Sequence, residues 1–167
     1  MKNKFFLLFL FLLNFNHLNA NEGVYFLDVD YILKNSDSGK IVVNKLQNLN
    51  SENNLMFKNA EDEIKLLENE ITKVKNIVSN EELNKKINNL KKKVLIFREN
   101  KNTKLNEYNN FKKKELENYF KRISPIVEEF MKMKSIKIII DRKNIFIADS
   151  NYDITNELIK FLNEKIN

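Results

Sequence analysis

Between residues 38 and 134 the chain carries one Gly and one Pro, and apolar residues return there every three or four positions. Ile64, Leu67, Ile71, Val74 and Val78 keep the a and d spacing of a helical seam, with Glu, Lys and Asn between them. A sheet needs a period of two, so this stretch is committed to long helices. The composition agrees: 31% of residues are charged, and Gly and Pro together number three in 167.

The seam then loses phase. It should continue at Glu81 and Lys85 but resumes at Leu83, Ile87, Leu90, Val94 and Phe97. A shift of two residues is neither of the insertions that a coiled coil absorbs by local unwinding, which argues for a chain reversal. Ser79 followed by Glu82 has the capping-box pattern of a new helix start, so the reversal is expected at residues 78–80. One continuous helix through the break is the alternative, since no Gly or Pro marks the turn. With a reversal, residues 38–78 form an arm of about 60 Å, and the second arm pairs back along it.

The second arm is imperfectly written. Lys101 and Lys104 fall where the seam expects apolar residues, and the pattern restarts in a new phase at Leu116, Tyr119, Ile123, Ile126 and Phe130. Lysine clusters at Lys91 to Lys93 and Lys112 to Lys114 share the arms with Phe57, Phe97, Tyr108, Phe111 and Phe120. Basic groups beside apolar rings can hold a partner non-specifically, although packing between helices is the plainer role of each ring. Pro125 predicts a kink near the arm's base, because it removes a helix hydrogen bond and crowds the preceding turn.

Both chain ends read as strands. Val24-Tyr25-Phe26-Leu27-Asp28-Val29, Ile136-Lys137-Ile138-Ile139-Ile140 and Ile145-Phe146-Ile147 are β-branched or aromatic, and the last two are expected to form a hairpin with Asn144 left-handed in its loop. Ile154, Leu158, Phe161 and Leu162 outline a short amphipathic helix started by Asp153 or Thr155. The expected fold is therefore α+β and mostly helical. A long antiparallel helical hairpin (38–134) is inserted in a small β body (21–37 and 135–167). Three short strands and one helix bury little apolar area, so self-association through the body is expected.

Residues 1–20 read as a cleavable export signal: Lys2 and Lys4, the apolar run Phe5 to Leu13, then Leu18-Asn19-Ala20. The run falls short of the roughly 20 apolar residues of a membrane span, and without Cys there is no lipid attachment site. Cleavage also removes His17, the single histidine, leaving a mature chain without His, Cys or Trp. The commonest zinc, copper, haem and His-activated nucleophile sites cannot then be built. Gly39-Lys40 lacks the earlier glycine of a Walker loop. The surface stays mildly basic, and an exported basic chain meets anionic lipid head groups, lipopolysaccharide or acidic polypeptides rather than nucleic acid.

Two acidic groups could suggest chemistry. Asp28 and Asp30 could pair as carboxylates, but Asp30 more simply caps a turn over residues 31–34. Asp149, Asn151 and Asp153 match the start of a calcium loop, which then fails at Ile154 and Lys160.

Val24-Tyr25-Phe26-Leu27-Asp28-Val29, Ile32-Leu33, Asn35-Ser36 and Gly39-Lys40 resemble the N-terminal signature of the Skp/OmpH family of periplasmic chaperones. Ala148-Asp149-Ser150-Asn151-Tyr152-Asp153-Ile154-Thr155, Leu158-Ile159 and Leu162-Asn163 are similar to its ending. Asp37 and Ser150 stand where that family usually has Pro, and Ser135 and Asn144 where it has Gly. The resemblance implies an ATP-independent periplasmic holdase that trimerises through the body and shelters unfolded outer-membrane β-barrel proteins between tentacle-like arms. On that reading Lys85, Lys86, Lys91, Lys92 and Lys93 capture clients, Phe26, Ile138, Ile140 and Ile147 hold the trimer, and neither catalytic residue nor cofactor is needed. A structural envelope spacer is the alternative, and a hydrolase using the acidic groups a remote third.

Overall fold

The computed structural model describes residues 23–166, and the expected leader, residues 1–20, lies outside them. Strand β1 (Gly23–Leu27) leads into helix α1 (Val29–Asn35), then the long helices α2 (Asp37–Val74) and α3 (Asn80–Met133), strand β2 (Ile136–Asp141) and helix α4 (Thr155–Lys165). Strands β1 and β2 pair in parallel, with Val24 opposite Ile138 and Leu27 opposite Asp141. Parallel neighbours need a long crossover, and here it is the whole helical hairpin.

The first three helix starts are each set by a short polar side chain, whereas the N-cap position of α4 is Ile154, not the expected Asp153 or Thr155, and has no side-chain cap. Asp28 accepts from the Tyr31 amide at 2.8 Å and caps α1. Asp28, not Asp30, thus does the capping, because the chain turns helical at Val29 and leaves Asp30 in the first turn. Ser36 ends α1 and begins α2, accepting from the Gly39 amide at 3.2 Å. Ser79 accepts from the Glu82 amide at 3.2 Å and starts α3, so the arms reverse through residues 75–79. Helix α2 stops at Val74, four residues before the expected Val78. Helix α3 runs on through Pro125 without breaking.

The core sits at the hairpin's base. Leu27, Ile32, Val42, Leu46, Tyr119, Ile123, Phe130, Ile136, Ile154, Leu158 and Leu162 form one buried cluster. It draws nothing from α2 beyond Leu46, and the first residue of α3 to pack against it is Phe111. From there outward the arms pair chiefly with each other, at intervals marked by Phe57, Ile64, Leu67, Leu90, Val94 and Phe97.

The expected strand at residues 145–147 is absent. Arg142–Asn144 forms a 3-10 turn capped by Asp141, and the chain then crosses to the far edge of β1, where Asp153 bridges Phe26 and the Ile154 amide donates to the Phe26 carbonyl at 3.0 Å. The β propensity of Ile-Phe-Ile reflects a preference for packed, paired surroundings, and no strand among the described residues supplies the pairing. The left-handed residue is Ser135, at φ 56°, rather than Asn144. It takes up the tight passage from α3 into β2. Since a side chain in that region costs about 1 kcal/mol, Ser135→Gly is expected to raise unfolding stability by up to about 1 kcal/mol, read as a higher urea midpoint.

Candidate functional site

No cluster of convergent catalytic groups occurs among the described residues, and the tempting acidic groups have structural work. Asp149 accepts from the Asn151 amide at 2.9 Å, and Asp153 accepts from the Thr155 amide at 3.0 Å. The Thr155 hydroxyl in turn accepts from the Asp28 amide at 2.9 Å, and Asn163 Oδ1 accepts from the Asp37 amide at 2.9 Å. The C-terminal motif is thus a clasp that ties α4 to the start of α1 and the start of α2. No group of His, Cys, Asp or Glu among the described residues could hold a metal ion.

Beneath the arms, the Ser36 and Tyr119 hydroxyls share a hydrogen bond of 3.0 Å with both side chains buried. Burial pushes the Tyr119 hydroxyl pKa up, so it stays protonated and available to donate. A cleft of about 310 Å³ lies beside it, lined by Leu27, Ile32, Phe120, Ile123 and Val127, with little polar lining to orient a small ligand.

The arm lysines divide into two kinds. Lys86 reaches Glu70 across the hairpin at 2.7 Å, and Lys93 pairs with Glu63 in the same way. These two staple α3 to α2. The hydrogen bond and charge of each partner lower the Glu70 pKa and raise that of Lys86. The pair is therefore present at neutral pH, lost as pH falls through the depressed Glu70 value, and lost again as pH rises through the raised Lys86 value. Its exposure to solvent keeps its contribution small. Lys85 pairs with Glu81 one turn away on its own helix, at 2.7 Å. Lys91 and Lys92 are exposed and make no ion pair among the described residues.

The body residues also part company. Phe26 is 7% exposed and belongs to the chain's own interior. Ile138 is 52% exposed, and Ile140, Ile147 and Phe146 are exposed too, Phe146 completely. Phe146 reads in the sequence as part of a paired strand, so its full exposure is not foreseen there. Its exposure follows from the missing ladder.

A small parallel sheet whose crossover is a two-helix arm, with its main apolar cluster at the arm's base, defines a tentacled α+β protein. The family model described as Outer membrane protein (OmpH-like) matches residues 23–162, and the chain belongs to that family. The fold is similar to a crystal structure of a proposed outer membrane chaperone (OmpH-like) from Caulobacter crescentus CB15. The TM-score is 0.71 at 15% identity, covering 86% of this chain and 85% of that one. No curated protein matches the chain significantly.

Proposed function

We propose that the protein is an ATP-independent periplasmic holdase that binds unfolded outer-membrane β-barrel proteins and keeps them from aggregating. The observation that carries this reading is the arm itself: most of α2 and α3 stands clear of the core. Its surface offers Leu55, Leu66, Leu95, Ile96 and Leu105 to solvent among lysines. Membership in the OmpH-like family supports it. Clients with unpaired strand edges aggregate edge to edge, and many weak contacts on several arms hold them without a nucleotide cycle. The body forms a homotrimer through its exposed apolar residues, and the leader directs the chain to the periplasm. Anionic lipid or lipopolysaccharide would meet the same basic surface.

Electrostatic capture falls on Lys91 and Lys92, which have no acidic partner among the described residues, with Lys85 beside them. Lys86 and Lys93 contribute charge while holding the arms together. The test is light scattering of an unfolded outer-membrane β-barrel diluted from urea with the mature protein and no nucleotide. Scattering is expected to be suppressed. Lys91→Gln with Lys92→Gln is expected to weaken suppression a few-fold and flatten its salt dependence while leaving the oligomer intact. Unchanged scattering with the native protein overturns the holdase reading, and unchanged salt dependence in the variant overturns the role of these lysines. A spacer without chaperone activity would leave scattering untouched in both.

A further inference from the structure

Midway along α2 the two arm helices leave a notch of about 320 Å³ between them. Phe57 and Phe97, edge to face at 6.4 Å between ring centres, form its floor, and Met56, Ala60, Ile64 and Ile96 its walls. Phe57 is buried, whereas Met56 and Ile96 reach solvent. Lys101 holds the rings in place: it stands 5.5 Å from one ring centre and 5.4 Å from the other, and pairs with Glu61 at 3.3 Å. A fixed aromatic floor beside a flexible Met wall suits apolar side chains of differing shape.

Both ends of the notch are polar. The Lys93 and Glu63 ion pair closes it towards the tip, and Asn100 stands on the body side. The hollow therefore has room for one side chain, and an acyl chain running along the arm would meet a charged pair. The charge around it is uneven. Lys92 lies one turn tipward of Ile96, and Glu99 lies on the body side; both are exposed and make no ion pair among the described residues. The cleft at the arm's base is also apolar, but it has Glu128 on its rim and no lysine in its lining. The hollow on the other flank of the arm is lined by Glu61, Lys65, Glu68 and Arg98, which leaves little apolar wall.

We propose that the notch reads a short pattern in extended polypeptide: an aromatic or large aliphatic side chain enters it while an acidic residue two positions away meets Lys92. The spacing matches. Four helical residues from Lys92 to Ile96 advance about 6 Å along the arm. Residues i and i+2 of an extended chain lie on one side, roughly 6.6 Å apart. An acidic group placed the other way along the arm meets Glu99, so the charges set the segment's direction as well as its place. Such a pattern belongs to the ends of membrane-spanning strands, where the aromatic girdle gives way to polar turns. That occupant rests on the holdase reading, and it gives each arm a preferred point of contact on an otherwise permissive surface.

NMR of the mature protein labelled at Met and Ile methyl groups tests this against three unlabelled peptides. Each is a disordered chain of about twelve Ser, Thr and Gly residues with a single Phe. The first carries Glu two positions from the Phe, the second carries Glu next to it, and the third carries Lys two positions from it. The first is expected to move the Met56 and Ile96 signals at roughly threefold to fivefold lower concentration than the others. Met133, exposed near the body, is expected not to move. Lys92→Glu is expected to invert the order of the first and third peptides, and Ala60→Leu, which fills the notch, to abolish the shifts. Equal responses to the first and second peptides overturn the register, and an unchanged order in Lys92→Glu overturns the role of Lys92. Shifts that survive in an Ala60→Leu variant of native helix content overturn the notch. Phosphatidylglycerol vesicles that move Met56 and Ile96 when no peptide does assign the surface to lipid and overturn the polypeptide reading. The same preparation is assayed for suppression of aggregation: suppression without peptide preference overturns the notch alone, and loss of suppression overturns the holdase reading.

Discussion

Gly39→Ala is expected to destabilise the fold by about 3 kcal/mol, seen as a lower urea midpoint and a lower thermal midpoint. The requirement for glycine is not a matter of backbone angle, since no glycine among the described residues has positive φ. It is one of distance. A Cβ on Gly39 would sit 2.2 Å from the Leu33 carbonyl oxygen and 2.8 Å from the Ser36 hydroxyl. Both neighbours are fixed. Leu33 is in the last turn of α1, and Ser36 is held by Tyr119 while it caps α2. Relief would have to come from opening the corner between the two helices, which would draw Ser36 away from Tyr119 and loosen the arm's seat on the core. The adjacent Ser38→Ala is a matched control: its buried hydroxyl lies near the Tyr119 hydroxyl without forming a well-made hydrogen bond, so its removal is expected to change stability little. Equal midpoints for Gly39→Ala and the native chain would sink the close-approach account.

What the sequence made legible was periodicity, and what it hid was pairing. The two-residue phase slip located the reversal, and Ser79 is the cap it announced. The end of α2 was misread by one turn because Val78 continues the apolar spacing although the backbone has already left the helix; spacing records which side chains are apolar, not which amides are bonded. Ile145-Phe146-Ile147 has strand composition but no partner strand among the described residues. Lysine clusters were visible as clusters. Which lysines are tied depends on the antiparallel register, and that emerges when Glu63 and Glu70 are set against Lys93 and Lys86. The bonds from Tyr119 to Ser36 and from Thr155 to Asp28 join residues 83 and 127 positions apart, beyond the reach of local pattern. Tyr119, the one member of the restarted seam with a polar group, was the available hint.

The exposed apolar residues of the body lead to the last expected result: Phe146→Asp with Ile147→Asp dissociates the oligomer while leaving each chain folded. In one copy Phe146 is fully exposed and Ile147 is 84% exposed, so the core cluster loses nothing when they change. Burying such side chains is worth about 1.5–3 kcal/mol each, and closed symmetry repeats that gain at every interface. Strand β2 pairs with β1 alone in its sheet, which leaves its other edge open to an extended segment from a neighbour. Ile138 and Ile140 on β2 extend the apolar surface beside that edge. Size-exclusion chromatography with light scattering is expected to give a trimer for the mature chain and a monomer for the variant, with unchanged helical circular dichroism. Phe26→Ala is expected to behave in the opposite way, lowering stability by roughly 3 kcal/mol, because Phe26 is buried within its own chain. If client protection depends on several arms acting together, the aspartate variant loses it along with the trimer. A trimer that survives both aspartates would move the interface elsewhere on the body and leave Phe146 without a role.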